Sequence, residues 1–127
     1  MIKIYGIRAK LNPIKQELSD VINTCLVDAL QFPDNKRAHR FISLEKDDFF
    51  YPEGRTDAYT VVEIDLMEGR SVAAKKKLIR LLFEHVQDKI GFMPQDLEID
   101  IIESPACNWG FRGMPGDEAT LNCRVGV

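Results

Sequence analysis

Paired cysteines, clustered histidines and long apolar runs are what this 127-residue chain lacks. Its three cysteines, Cys25, Cys107 and Cys123, stand at unrelated spacings, with no pair close enough for a zinc knuckle or a redox motif. That argues against a disulfide-stapled scaffold and for a reducing, cytoplasmic setting. Two histidines, His39 and His85, with no Cys/His cluster around either, leave little to ligate zinc, so neither a metal nor another cofactor is expected. No stretch approaches the roughly 20 apolar residues of a membrane-spanning helix. The start, Met1-Ile2-Lys3-Ile4-Tyr5, has no basic segment followed by a sustained apolar one, so neither export nor membrane association is expected. A positive excess is missing too: 17 Lys and Arg against 20 Asp and Glu give a net charge of −3, the wrong sign for holding nucleic acid by general electrostatics.

What the chain does carry is hydrophobic periodicity. Its length suits one domain, residues 1–127. Ile2 and Ile4 alternate with Lys3 and Tyr5, which predicts a strand over residues 2–8. Asn12-Pro13 reads as a helix start, Asn as N-cap and Pro at the first helical position. From Ile14 through Leu18, Val21, Ile22, Cys25, Leu26, Ala29 and Leu30 the apolar residues fall three and four apart, as far as Phe32-Pro33. Phe41, Ile42 and Leu44 mark a second strand within residues 37–45. A turn-rich connector, residues 46–58, holds Phe49, Phe50 and Tyr51, which either tuck beneath it or meet a neighbouring subunit. The order then repeats. A strand with Val62, Ile64 and Leu66 on one face leads to a helix striped by Leu78, Ile79, Leu82, Phe83, Val86 and Ile90, ended by Gly91. A fourth strand runs through Leu97, Ile99 and Ile101.

The turn after the first helix, Leu30-Gln31-Phe32-Pro33-Asp34, is echoed by Ile90-Gly91-Phe92-Met93-Pro94 after the second. Two βαβ pseudo-repeats, about residues 1–45 and 59–103, would form one four-stranded sheet with both helices on one face, an α/β (α+β) domain completed by a C-terminal loop and short strand over residues 104–127. The same element order also describes a ferredoxin-like sandwich, in which strands of one half are not neighbours.

Three places bear candidate chemistry. At Glu68-Gly69-Arg70-Ser71 a strand turns through Gly into a helix N-terminus, where the helix dipole and an arginine favour an anion; an ordinary surface arginine at such a corner is the alternative. Lys36-Arg37-Ala38-His39-Arg40 is a basic cluster that either holds a dianion or flanks an edge strand. The tail, Ser104 to Asp117, gathers Gly110, Gly113, Gly116, Trp109, Phe111 and Arg112 into a loop with turn-forming glycines; the two aromatics either pack over the sheet end or line a pocket.

Taken together, the doubled βαβ unit, Glu68-Gly69-Arg70-Ser71, Gly91 to Asp96, and Asn108-Trp109-Gly110-Phe111-Arg112-Gly113 resemble the tautomerase superfamily over nearly the whole chain. The likeness is to the branch containing macrophage migration inhibitory factor and malonate semialdehyde decarboxylase. It implies a tautomerase/MIF-like fold, a homotrimer, and a site in which Arg70 binds a carboxylate and Trp109 and Phe111 form an apolar wall. Arg37, His39 and Arg112 are further candidates for contacting the substrate. Members of that family use an N-terminal proline as acid or base, whereas here position 2 is Ile and the chain starts at Met1. The candidate base is then the primary α-amine of Met1, whose reference pKa of about 7.7 to 8.0 suits proton exchange at neutral pH. Glu68 stands where the decarboxylase has a second arginine, which turns the expectation from decarboxylation toward isomerisation. Two functions follow: a keto–enol isomerase of a small carboxylic acid, or a non-catalytic trimeric ligand-binding or scaffold protein that has lost the proline.

Overall fold

The computed structural model describes residues 1–119. The closing strand expected around Leu121–Val125 lies outside the described residues. Strand β1 spans Ile2–Ile7 and places Ile2 and Ile4 in the core, with Lys3 and Tyr5 on the opposite face. A single helical turn, α1 (Arg8–Leu11), follows directly and buries Leu11 completely. Asn12 therefore sits inside a helical path and does not cap it: its backbone is helical, at φ −55° and ψ −43°, and its Oδ1 accepts the Ser43 hydroxyl at 2.6 Å. Pro13 falls in the 3-10 turn Asn12–Ile14, and α2 runs Lys15–Leu30. The expected stripe is what α2 buries, Leu18, Val21, Ile22, Cys25, Leu26, Ala29 and Leu30. It stops short of Phe32-Pro33 because Gln31 adopts the left-handed conformation at φ 58° and its N–H donates to Val27 O at 3.0 Å.

Strand β2 (His39–Leu44), the long β3 (Thr60–Met67) and β4 (Leu97–Ser104) complete a sheet of order β2-β1-β3-β4. β1 pairs with β2 in parallel and with β3 antiparallel, and β3 with β4 in parallel. Strands of each half are thus neighbours, which excludes the ferredoxin-like arrangement. Helix α3 (Val72–Lys89) begins as expected, with Ser71 Oγ accepting from Ala74 N–H at 3.1 Å, and Gly91 beyond its end takes φ +88°. Its Leu78, Leu82 and Val86 join α2 and the inward residues Ile2, Ile4, Val62, Ile64 and Leu66 in one core. Each such side chain, fully buried, is worth about 1.5–3 kcal/mol, so this stripe rather than helix propensity holds α3 to the sheet.

The other sheet face is mixed. Lys3 Nζ lies 3.4 Å from both Glu63 Oε2 and Asp65 Oδ2, Tyr5 donates to Glu63 at 3.1 Å, and Ile102 is 44% exposed. In the connector the aromatic run divides. Phe49 and Tyr51 pack on buried Tyr59, with ring centroids 5.5 and 5.9 Å away, whereas Phe50 is 90% exposed. Asp96, almost wholly buried, ties this connector to β4 by accepting Thr56 N–H and Oγ1–H at 2.7 Å each. The tail forms a small hairpin, β5 (Gly110–Phe111) and β6 (Met114–Pro115), turned through Arg112 at φ 54° and Gly113 at φ 80°. Positive φ at both central residues is the type I′ geometry that matches strand twist. Among the described residues no helix is long and apolar enough to cross a membrane.

Candidate active site

Because β1 and β3 are antiparallel, the start of β1 and the end of β3 share one end of the sheet. There a cavity of about 430 Å³ opens. Its floor is Ile2 and Leu66, its sides come from Leu26 and Phe32 at the end of α2 and from Ala38 and His39 entering β2, and the tail hairpin covers it with Trp109, Phe111 and Arg112.

Met1 extends β1 by one rung. Its α-ammonium donates to Asp65 O at 3.0 Å and its carbonyl accepts Asp65 N–H at 2.8 Å, so the amine is held in place by backbone on both sides. Burial lowers the pKa of this amine below its usual 8.0; the Asp65 carboxylate opposes the shift, and Arg70, Arg40 and Lys3 add to it. The amine is thereby brought nearer to proton exchange at neutral pH.

Arg70 is 7% exposed, unusual for an arginine, and faces the same cavity. Gly69, at φ 132°, makes the corner that turns it inward. The guanidinium lies 5.3 Å above the Phe32 ring, and Nη1 donates to Met67 O at 3.2 Å. Stacking on an aromatic face suits a weakly hydrated guanidinium and fixes its plane. Ser71 already occupies the Ala74 N–H, so the attraction for an anion at this corner rests on Arg70 more than on bare helix amides.

His39 also lines the cavity, with its Nδ1 2.8 Å from Ser19 Oγ on α2. Burial, then Arg37 and the Met1 ammonium, push its pKa down to about 4, so the ring is neutral at pH 7. Arg37 stands outside the cavity. Its Nη1 donates to Asp20 Oδ1 at 2.6 Å and to Ser19 Oγ at 3.2 Å, and this hydrogen bond holds the exposed Asp20 carboxyl below its usual range. The reason is local: Ile2 N–H fixes Ala38 O at 2.9 Å, which sends Lys36 toward the cavity and Arg37 onto α2. Arg40 is exposed.

The tail residues are placed by a close packing. Gly116 N–H donates to Trp109 O at 2.7 Å, and a Cβ at Gly116 would stand 2.5 Å from Ala106 O and 3.0 Å from Trp109 Cβ. Arg112 sits at the hairpin tip with Cζ 5.2 Å over the Phe111 ring. Of the residues singled out in the sequence, Met1, His39, Arg70, Trp109, Phe111 and Arg112 meet at one cavity, and Arg37 does not. Lys36, from the basic cluster, also lines it, and so do Asp65, Phe32 and Met67, which were not anticipated. Asp65 was accessible in principle, since it has the parity of Glu63 on β3 and pairs with Met1 once β1 and β3 are set antiparallel. Among the described residues no group of three or more His, Cys, Asp or Glu is placed to hold a metal ion.

The family model described as "Tautomerase enzyme" matches residues 36–112, more than half the chain. A protein of Ralstonia nicotianae named "Probable tautomerase" is 32% identical over 59 residues, 46% of this chain and 84% of that protein. Malonate semialdehyde decarboxylase superposes with a TM-score of 0.81 at 19% identity, covering 92% of this chain and 94% of the other. A fused 4-OT crystallised as an asymmetric trimer gives a TM-score of 0.80 at 22% identity, over 91% and 95% of the two chains. N1, of the cis-3-chloroacrylic acid dehalogenase family, gives 0.79 at 17% identity, over 90% and 81%. These three likenesses concern the fold.

Proposed function

Since the chain belongs to the tautomerase family, we propose that it interconverts the enol and keto forms of a small 2-oxo carboxylic acid. The observation that carries this reading is the convergence of a buried arginine and an amine of lowered pKa on one aromatic-walled cavity. Arg70 binds the carboxylate, its plane set by Phe32. Trp109 and Phe111 exclude water from the rest of the ligand, and Arg112 at the hairpin tip attracts the anion to the mouth. The neutral Met1 amine accepts the proton of the enol hydroxyl, and the ammonium so formed delivers a proton to the carbon two bonds away. The catalyst ends unchanged. Arg37, held by Asp20, does not touch the ligand in this scheme.

The test is ketonisation of phenylenolpyruvate or 2-hydroxymuconate, followed by absorbance, with the wild type and Arg70→Met. Loss of a charged hydrogen-bonding pair costs about 1.5–3 kcal/mol, so kcat/KM is expected to fall about 10- to 100-fold. Equal rates in both proteins would refute the assignment of Arg70.

One observation favours a second reading, a ligand-binding protein without catalysis. Ile2 is 2% exposed and occupied in the core, and it stands where the family's pattern has proline. An inert wild type that still binds a 2-oxo acid through Arg70 would decide for it. For either function we propose association into a homotrimer, supported by the mixed sheet face around Tyr5 and Ile102 and by the trimeric fused 4-OT. Light scattering of the purified chain measures this directly, and a monomer would refute it.

A further inference from the structure

The hydrogen bonds around Ser19 favour one tautomer of His39. Ser19 is 7% exposed, and its Oγ meets two groups among the described residues: Arg37 Nη1 at 3.2 Å and His39 Nδ1 at 2.8 Å. A guanidinium can only donate. Among the described residues the hydroxyl hydrogen of Ser19 therefore has one acceptor within reach, the Nδ1 of His39. Were Nδ1 to carry the proton instead, Ser19 would receive two donors and its own hydrogen would be buried without a partner, which costs more than the bond is worth. Asp20 closes the chain by holding Arg37 Nη1 at 2.6 Å. The order of donation runs from Arg37 to Ser19 to His39, and the ring hydrogen is left on Nε2.

We propose that Arg37 and Ser19 are positioning residues that hold His39 in its Nε2–H form, and that this N–H is the donor to the oxygen on which enolate charge develops in the cavity. The proposal rests on the isomerase reading, and it gives Arg37 a part in the site without contact to the ligand. His39 lines the cavity, and with Nδ1 taken by Ser19 the nitrogen left for a ligand is Nε2. A neutral donor suits the task. It stabilises a developing oxyanion without protonating the starting enol, and it leaves the carboxylate to Arg70. Met1 and His39 then divide the work, the amine moving the proton and the ring steadying the oxygen that loses it.

Long-range 1H–15N correlation spectra of histidine-labelled protein at neutral pH distinguish the two tautomers and need no turnover. The wild type is expected as Nε2–H, and oxalate, a planar mimic of an enolate carboxylic acid, is expected to shift the Nε2 proton downfield. Arg37→Met and Ser19→Ala should each populate the Nδ1–H form and weaken oxalate about tenfold, the size of one neutral hydrogen bond. His39→Leu should weaken it at least as much, and His39→Gln, which keeps an N–H near the same place, should restore most of the loss. An Nδ1–H wild type overturns the proposal. Oxalate that binds and leaves the His39 resonances unmoved overturns the donor role alone, whereas oxalate that does not bind overturns the carboxylate site and the donor with it.

Discussion

Acidifying the protein should expose what it costs to keep His39 neutral. The ring has a usual pKa of 6.5 and is held down to about 4, chiefly by burial and next by Arg37 and the Met1 ammonium. The unfolded chain therefore takes up the proton first. Stability that His39 leaves intact above pH 6.5 is lost as the pH falls toward 4, and below that the loss is complete. A gap of about 2.5 units at about 1.36 kcal/mol per unit sets an upper bound of roughly 3 to 4 kcal/mol. One edge of the ring opens on the cavity, where water screens it, so about 1–2 kcal/mol is the expected effect. Urea denaturation of the wild type and His39→Gln, from about pH 7.5 to about pH 4.5, isolates this contribution, because carboxylates common to both proteins, such as Asp20, cancel in the difference. At the neutral end the wild type should be the more stable, since the variant lacks the bond to Ser19. Its advantage should shrink by about 1–2 kcal/mol toward the acid end. Two stability curves that stay parallel across this range would refute the account of His39 as a buried, neutral ring.

The Met1 amine should titrate below 8.0, measured as the pH dependence of its acetylation by competitive labelling and mass spectrometry; Arg70→Met should raise that midpoint and Asp65→Asn lower it further, as the signs of their fields require. A midpoint at or above 8.0 would contradict the burial of the amine. Gly116→Ala places a Cβ 2.5 Å from a backbone carbonyl oxygen, so the tail must shift, at a cost of about 1–3 kcal/mol. The readout is the emission of the single tryptophan, Trp109, which should move toward that of an exposed indole, and unchanged emission with unchanged stability would refute the packing.

The parts of the fold legible in the sequence are those set by near neighbours. The stripe of α2, the alternation along β1 and β3, the Ser71 cap and the Gly91 stop each follow from a few adjacent residues and are found, whereas of the stripe expected on α3 Leu78, Leu82 and Val86 are buried and Ile79, Phe83 and Ile90 only half-buried. Asn12 misled because its side chain had a partner 31 residues away in Ser43, and a capping rule sees only the following turn. The site was legible as a set of residue types but not as directions. Neighbouring Lys36 and Arg37 have similar charge and opposite fates, decided by Asp20 on α2 and by the bond from Ile2 N–H to Ala38 O. Asp65 and Met1 meet through a pairing between strands some sixty residues apart, which composition and period do not reveal.

The two strand–helix–strand units are interchangeable in outline, yet their ends are not equivalent. Where one unit begins with Met1 beside an opening, the other begins with Tyr59, 5% exposed and stoppered by Phe49 and Tyr51. The two units share an order of elements, and three aromatic rings together with the Asp96 tether make their ends unlike. At the matching position of the second unit these rings and the tether stand where the first unit has the mouth of the cavity, so under the proposed function ligand is expected to saturate at one per chain.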